Sequence, residues 1–234
     1  MLKKLAITVF SLSLLSGVQL AQANGYFFKK HEAIYEVTIT NITKGQTFTP
    51  QLLTSHKRQL TLFELGEPAS DALATLAEAG NTGPLSSLLL NAGNAVNDVQ
   101  TVDGLLGPGA SVSADVLANP RRHVLSVAAM LIPTNDTFVG GDSLALPLRG
   151  ARTYYLNAYD AGSEYNDQNC ANIPGPRCGG AAESVPADSD EGFVHISNGF
   201  HDLGTEDSEG NEILGPLTYD WRNPVAKIVV KRLY

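Results

Sequence analysis

Alternation of apolar and polar residues predicts strands near both ends of the chain. In AIYEVTITNIT (33–43), Tyr35, Val37 and Ile39 occupy every second position, which is the period of a strand with one buried face. The closing stretch VAKIVVKRLY (225–234) has the same period, with lysines on the alternate positions. Both stretches therefore predict half-buried strands.

The longest apolar run after the N-terminal segment, His123–Ile132, ends at Pro133 and predicts a central strand that is buried on both faces. PASDALATLAEAGN predicts a short helix in which Ser70 is the N-cap and Gly80 the stop, and a second helix is predicted from Gly83. Many short strands separated by Gly/Pro turns, with one or two short helices, predict an all-β fold. We expect a single antiparallel β-sandwich.

The N-terminal segment MLKKLAITVFSLSLLSGVQLAQANG has the pattern of a secretory signal peptide. Lys3 and Lys4 precede an apolar run, and Ala21-Gln22-Ala23 has the A-x-A pattern of a cleavage site. Cleavage is therefore predicted after Ala23. The apolar run is shorter than the roughly 20 residues of a membrane-spanning helix, and no later segment is long enough. The sequence predicts a signal peptide (1–23), one domain (24–234) and a soluble protein that is periplasmic, secreted or at the cell surface.

The charge of the chain excludes some partners. The formal net charge is −8, and removal of residues 1–23 takes away two lysines and no acid, which gives 14 − 24 = −10. An acidic chain without a Lys/Arg cluster is a poor nucleic-acid binder, because that affinity begins with neutralisation of phosphates. Direct attraction to anionic lipid is disfavoured for the same reason, unless a cation bridges the two surfaces.

Cys170 and Cys178 flank Pro and Gly in CANIPGPRC. In an exported protein, a close pair of this kind predicts a disulfide. On the chain-entropy model, closing so short a loop stabilises the folded protein by about 2–3 kcal/mol. The disulfide would therefore constrain this loop and not the fold as a whole. The alternative, a zinc pair, needs further Cys or His ligands at a different spacing.

The sequence lacks two common catalytic motifs. There is no G-x-S-x-G, and the five histidines form neither H-E-x-x-H nor a pair four residues apart. His195 and His201 flank a turn and could meet in space, although one imidazole in a strand and one at a strand end is the simpler interpretation.

Two acidic segments have a distinctive pattern. MLIPTNDTFVGGDS leaves the buried strand through a polar turn with Asp136, and YYLNAYDAGSE runs from a strand into Asp160 and Glu164. Carboxylates about 5 Å apart repel by about 3 kcal/mol at an effective dielectric near 20, so a cluster needs a proton or a cation. Oxygen donors of this kind suit Ca²⁺ above all. Spacing alone leaves open a surface turn, a catalytic carboxylate pair and half of a metal site.

These two segments, together with FELGEPASDALATLAEAG and YDWRNPVAKIVV, resemble the spondin domain in its compact single-domain bacterial form. The most specific motifs are PTNDTFVG (133–140) and YDAGSE (159–164), and the resemblance extends from about Tyr35 to Leu233. It implies an eight-stranded antiparallel sandwich, similar to C2 domains, with a calcium ion at one end of the sheets.

The resemblance also implies a ligand set. The family's acids fall on Asp136, Asp160 and Glu164, where the last is commonly Asp in the family. Glu164 keeps a carboxylate on an arm longer by one methylene, which bears on bidentate geometry and on the size of the site. Thr137 stands where the family usually has an aromatic residue.

The function that the resemblance implies is an exported calcium-binding recognition or adhesion module, not an enzyme, whose ligand is a glycan, a lipid headgroup or a protein. One alternative is a metal-assisted hydrolase with Asp160 or Glu164 as the base and His201 nearby. Another is a purely structural envelope protein, in which the ion only ties loops together. An exposed Tyr165 beside the ion would favour the recognition module over the structural protein.

Overall fold

The computed structural model describes residues 32–180, 182, 189–207 and 209–234. The predicted signal peptide lies outside these residues. The described part contains ten strands: β1 (Ala33–Asn41), β2 (Thr47–Phe48), β3 (Gln51–Lys57), β4 (Val96–Val102), β5 (Ser111–Ala118), β6 (His123–Ile132), β7 (Thr137–Ala145), β8 (Ala151–Asp160), β9 (His195–Ile196) and β10 (Ala226–Arg232). It also contains three helices: α1 (Asp71–Ala79), α2 (Gly83–Asn91) and α3 (Pro216–Tyr219).

Eight of the strands form one continuous antiparallel path in the order β4-β3-β6-β7-β8-β10-β1-β5, while β2 pairs with β6 and β9 with β8. The two edge strands of this path approach each other through side chains. The backbone N–H of Leu117 in β5 donates to Oδ2 of Asp98 in β4 at 2.7 Å, and Nδ2 of Asn97 donates to the carbonyl of Leu117 at 2.9 Å. The sheet is therefore nearly closed around its core, which confirms the predicted all-β antiparallel sandwich.

Local sequence signals account for the helix ends. Oγ of Ser70 accepts a hydrogen bond from the backbone N–H of Leu73, and Gly80 ends α1 in the left-handed conformation at a φ of 65°. Glycine suits this position because it adopts positive φ without a steric penalty from a Cβ. The second predicted helix is α2, which has Pro84 in its first turn. None of the helices in the described residues is long and apolar enough to cross a membrane.

The central strand β6 is buried on both faces, as predicted, because each face contacts a different apolar cluster. Val127, Ala129 and Leu131 pack inside the folded sheet. Ala128 lies in a second cluster, which α1 and α2 form on the outer face together with Phe138 of β7. The half-buried strands show the alternation that the sequence predicts, since β1 and β10 bury every second residue over most of their length.

Strand β8 changes partners along its length. Its first half, Ala151–Leu156, pairs with β10, whereas Asn157 to Asp160 pair with β7. A strand that switches in this way forms a corner between two layers of a folded sheet. The switch carries the end of β8 to the turn between β6 and β7.

A long segment links β8 to β9. The Gly-, Ala- and Pro-rich sequence from Cys170 to Glu191 predicts a surface loop, and the described residues of this range contain no helix or strand. Cys170 and Cys178 form a disulfide, which confirms the predicted pair. The sequence also predicts a strand in GFVHISNGF (192–200), and the strand found there is only two residues long, His195–Ile196.

Candidate metal centre

The register of the sheet brings the two acidic segments together. Thr137, the first residue of β7, is the cross-strand partner of Asp160, the last residue of β8. Asp136 immediately precedes β7, and its carbonyl accepts a hydrogen bond from the backbone N–H of Ala161 at 3.2 Å. Asp136 and Asp160 are both buried, although carboxylates are rarely buried in proteins unless they are paired.

The turn after β8 supplies hydrogen bonds to one side of the Asp136 carboxylate. Its Oδ2 accepts the backbone N–H groups of Ser163 at 2.8 Å and of Glu164 at 3.1 Å. Its Oδ1 is buried and has no hydrogen-bond partner in the described part of the chain. Burial raises the pKa of Asp136 well above its ordinary value, and the charge of Asp160 raises that pKa further. An ionised Asp136 therefore needs a positive charge at Oδ1.

Asp160 has a more polar environment. Its Oδ1 accepts the backbone N–H of Gly162 at 2.9 Å, and its Oδ2 accepts Nδ2 of Asn166 at 2.9 Å. Burial raises the pKa of Asp160, while His195 and the hydrogen bonds to the carboxylate act in the opposite direction.

Glu164 is also buried, and its charge contributes to the raised pKa of Asp136. All three acids predicted from the sequence therefore lie in one buried cluster at the same end of the sheet. Mutual repulsion within such a cluster is relieved by a proton or by a cation. The cluster fits a hard cation, since each of the three side chains offers oxygen donors only.

Sequence reasoning missed two residues of this region, Glu191 and His195. Ligand atoms of Asp160, Glu191 and His195 all lie within 4.8 Å of one another. His195 is the cross-strand partner of Asp160, because β9 pairs with the end of β8. The sequence predicts a strand in GFVHISNGF, but this stretch contains no information on which strand is its partner.

Gly162 allows the turn after β8 to lie close to the segment that contains Glu191 and His195. Gly162 has a φ of 68°, and a Cβ at this position would lie 2.3 Å from the carbonyl oxygen of Phe193. The carbonyl of Gly162 also accepts the backbone N–H of Gly192 at 2.8 Å. Only a residue without a side chain fits between the turn and the segment that carries Glu191 and His195.

A cavity of about 420 Å³ opens beside the cluster. Its polar lining includes Asp160, Asn166, Glu191, His195, His201 and Asp202. His195 and His201, which the sequence suggested could meet, therefore face the same cavity. Asp160, Glu191 and His195, which could together hold a metal ion, can be reached from solvent through it.

Apolar side chains are exposed in the segments that carry the cluster. Tyr165, which follows Glu164, is 59% exposed, and Ile196, which follows His195, is 55% exposed. Phe193 is 42% exposed, and its ring lies 5.5 Å from that of His195. A contiguous exposed apolar patch beside a polar site is typical of surfaces that bind a partner, whereas single exposed apolar side chains are common on any surface.

A second constellation of catalytic residue types lies elsewhere in the sheet. Nε2 of His56 is 2.6 Å from Oγ of Ser126, and that hydroxyl also lies 2.9 Å from Oδ1 of Asp142. His56 and Ser126 are completely buried, so a substrate cannot reach the hydroxyl. The backbone N–H of Ser143 donates to the same Oγ at 2.9 Å. The group is a buried structural network where the pairing of β6 and β7 shifts register.

Comparison with known proteins adds one finding. A family model described as Spondin_N matches residues 35–198, more than two thirds of the chain. The matched part contains both acidic segments as well as Glu191 and His195, whereas the closing segment YDWRNPVAKIVV lies beyond it. A search of the curated proteins finds no match.

Proposed function

Because this chain belongs to the Spondin_N family, we propose that it is an exported recognition module that binds Ca²⁺ and has no catalytic activity. One observation carries the calcium part of the proposal. Asp136 is completely buried, and its Oδ1 has no hydrogen-bond partner among the described residues. A buried carboxylate oxygen in this position is costly when ionised, unless a cation balances it.

The proposed ligands are Asp136, Asp160 and Glu164. Their donors are carboxylate oxygens, and Ca²⁺ prefers six to eight oxygen ligands at flexible geometry. The longer arm of Glu164 suits such a cation, because its coordination shell tolerates variation in ligand reach. Mg²⁺ requires a stricter octahedron and retains more of its water.

The recognition part rests on the exposed side chains near the ion. Tyr165 directly follows one proposed ligand, and its ring is largely exposed. A purely structural ion site does not require exposed aromatic groups next to it. We propose that Tyr165, with Phe193 and Ile196, contacts an extracellular or envelope ligand: a glycan, a lipid headgroup or a protein. Export follows from the predicted signal peptide, and the disulfide Cys170–Cys178 fits an oxidising compartment.

Thermal unfolding in EDTA and in millimolar Ca²⁺ tests the calcium part. We expect the melting temperature to rise with free Ca²⁺, because an ion that binds only the folded state stabilises it by mass action. Identical unfolding curves in EDTA and in Ca²⁺ would contradict the proposal that the protein binds calcium. Binding to a glycan array and to lipid vesicles, compared between the wild type and Tyr165→Ala, tests the recognition part. Equal binding by both proteins would show that Tyr165 is not part of the binding surface.

A second candidate function, metal-assisted hydrolysis, is favoured by the cavity of about 420 Å³ at Asp160. The cavity contains His201 and two acids besides Asp160, so water and a substrate could reach a bound ion. Turnover on panels of esters and phosphoesters, with and without added metal, distinguishes the two functions. Turnover that disappears in Asp160→Asn would favour the hydrolase over the recognition module.

A further inference from the structure

We propose that Asp160, Glu191 and His195 form a second metal site, which binds a borderline divalent ion such as Zn²⁺ and shares Asp160 with the proposed calcium site. The proposal goes beyond calcium binding and does not depend on it, since two of the three ligands lie outside the calcium ligand set. It rests on the geometry of His195, on the hydrogen bonds that hold the two carboxylates, and on the adjacent cavity.

The imidazole of His195 is oriented like that of a metal ligand. Its Nδ1 lies 3.1 Å from the carbonyl oxygen of Ile196. A carbonyl can only accept, so Nδ1 carries the proton in this contact. When the ring is in this tautomer, Nε2 has a lone pair that can coordinate a metal ion. A backbone carbonyl that fixes the tautomer of a histidine in this way is a regular feature of metal sites.

In the absence of a cation, the lone pair of Nε2 faces an oxygen of the Asp160 carboxylate, which repels it. Nε2 is buried and has no hydrogen-bond partner among the described residues. It lies 3.4 Å from Oδ1 of Asp160, a second electron-rich atom. Two lone pairs at this separation require a positive charge between or beside them. A proton on Nε2 would supply that charge through an ion pair, and a metal ion would supply it through coordination.

Hydrogen bonds hold the two carboxylates in position. Nδ2 of Asn166 donates to Oδ2 of Asp160 at 2.9 Å and to Oε1 of Glu191 at 3.2 Å. One amide therefore links both acidic ligands. The second oxygen of Asp160, Oδ1, accepts the backbone N–H of Gly162 and keeps a further lone pair for a metal ion. Ligating carboxylates in metal sites are commonly held by hydrogen bonds of this type.

The donor set determines the class of ion. Imidazole nitrogen suits Zn²⁺ and its neighbours in the transition series, whereas Ca²⁺ and Mg²⁺ prefer oxygen. Zn²⁺ sites with only three protein ligands retain an open position for water or another molecule. The cavity lies on the side of all three ligands, so it offers both an entry path and room for that fourth group.

Metal titration of untagged protein tests the proposal. The protein is stripped with EDTA, dialysed and titrated with Zn²⁺ by calorimetry, and with Co²⁺ by visible absorption, in buffer that contains millimolar Ca²⁺. We expect one Zn²⁺ per chain and a Co²⁺ absorption band. In His195→Ala and Glu191→Gln the Zn²⁺ affinity should fall at least about tenfold, since even outer contacts of metal sites contribute that much.

Two variants serve as controls. His201→Ala removes an imidazole that lines the same cavity but lies outside the group of three ligands, and it should leave Zn²⁺ affinity unchanged. Asp136→Asn should abolish the stabilisation by Ca²⁺ while Zn²⁺ binding persists, which separates failure of this proposal from failure of the calcium proposal. Circular dichroism verifies that each variant is folded.

Three results would overturn the proposal. The first is the absence of Zn²⁺ binding by the wild type, which would identify the contact of His195 with Asp160 as an ordinary ion pair. The second is full Zn²⁺ affinity in His195→Ala. The third is an equal loss in His201→Ala and His195→Ala, which would place the ion elsewhere in the cavity.

Discussion

Thr137 and Asp160 face each other as cross-strand partners, one at the start of β7 and the other at the end of β8. This single pair determines the proximity of the two acidic segments, because Asp136 precedes Thr137 and Glu164 lies four residues beyond Asp160. The buried carboxylate of Asp136 is therefore beside that of Asp160, and without a cation their repulsion opposes folding.

Substitution of Asp136 by Asn removes one negative charge and keeps an oxygen that can accept the N–H groups of Ser163 and Glu164. In EDTA we expect Asp136→Asn to be as stable as the wild type or more stable. At a Ca²⁺ concentration 100 times the Kd, the wild type gains about 2.7 kcal/mol, or about 5–10 °C in Tm for a domain of this size. The variant should show almost none of this gain in differential scanning calorimetry.

The exposed acid Asp103 provides the matched control, since Asp103→Asn changes the net charge by the same amount outside the cluster. It should retain the full Ca²⁺ response. An undiminished response in Asp136→Asn would exclude Asp136 as a ligand.

Gly162 should tolerate no side chain. Alanine at this position places its Cβ 2.3 Å from the carbonyl oxygen of Phe193, in addition to the strain of a positive φ. Gly104 has a φ of 93° with no atom within 4 Å of its Cβ position, so Gly104→Ala measures the cost of backbone strain alone. Urea denaturation should show that Gly162→Ala is destabilised by about 1–3 kcal/mol more than Gly104→Ala. Equal losses would mean that the segment around Phe193 moves away freely.

The buried network around Ser126 should contribute strongly to stability. Ser126→Ala removes the group that Nε2 of His56, the carboxylate of Asp142 and the N–H of Ser143 all contact. Leaving buried polar groups without partners costs about 1–3 kcal/mol, and urea denaturation can measure the loss.

Ser113→Ala removes a hydroxyl that is hydrogen-bonded to Thr38 on an exposed face, and it should change the free energy of unfolding by no more than about 0.5 kcal/mol. Similar effects for Ser113→Ala and Ser126→Ala would contradict a special role for the buried network.

His123 should make the protein less stable in mild acid. Burial lowers its pKa below the ordinary value of 6.5, and its Nδ1 accepts the backbone N–H of Asn119 at 3.1 Å. The unfolded chain therefore takes up a proton at a higher pH than the folded protein does. Stability is complete above pH 6.5 and falls as the pH drops from there through the lowered pKa.

The Tm of the wild type, measured from pH 7.5 to pH 5, should therefore fall more steeply than that of His123→Gln. The two proteins should have parallel profiles above pH 7. A wild-type profile no steeper than that of the variant would contradict the lowered pKa.

Signals that are local in sequence predicted much of the fold. Alternation in β1 and β10 reports which side chains face the core, and the caps Ser70 and Gly80 act within a few residues of the helix that they terminate. Burial of β6 on both faces was visible as a long apolar run, in which Ser126 is the one polar residue after His123.

Pairing between distant segments was not visible in the same way. Glu191 and His195 meet Asp160 only because β9 adds to the end of β8, although more than thirty residues of sequence separate the two strands. The network of His56, Ser126 and Asp142 likewise combines three strands, and none of the three residues has a neighbour in sequence that indicates the others. The acids Asp136, Asp160 and Glu164 were found because their motifs resemble a known family, while spacing alone left three interpretations open.

The change of partner along β8 has a consequence for how this protein responds to an ion. Since one half of β8 is hydrogen-bonded to β10 and the other half to β7, opening either side of the sheet requires that β8 be released. An ion held by Asp160 would fasten the end of this shared strand. Its occupancy would then slow amide hydrogen exchange in β7 and β10 together, so that the two sides of the sheet open as one cooperative unit.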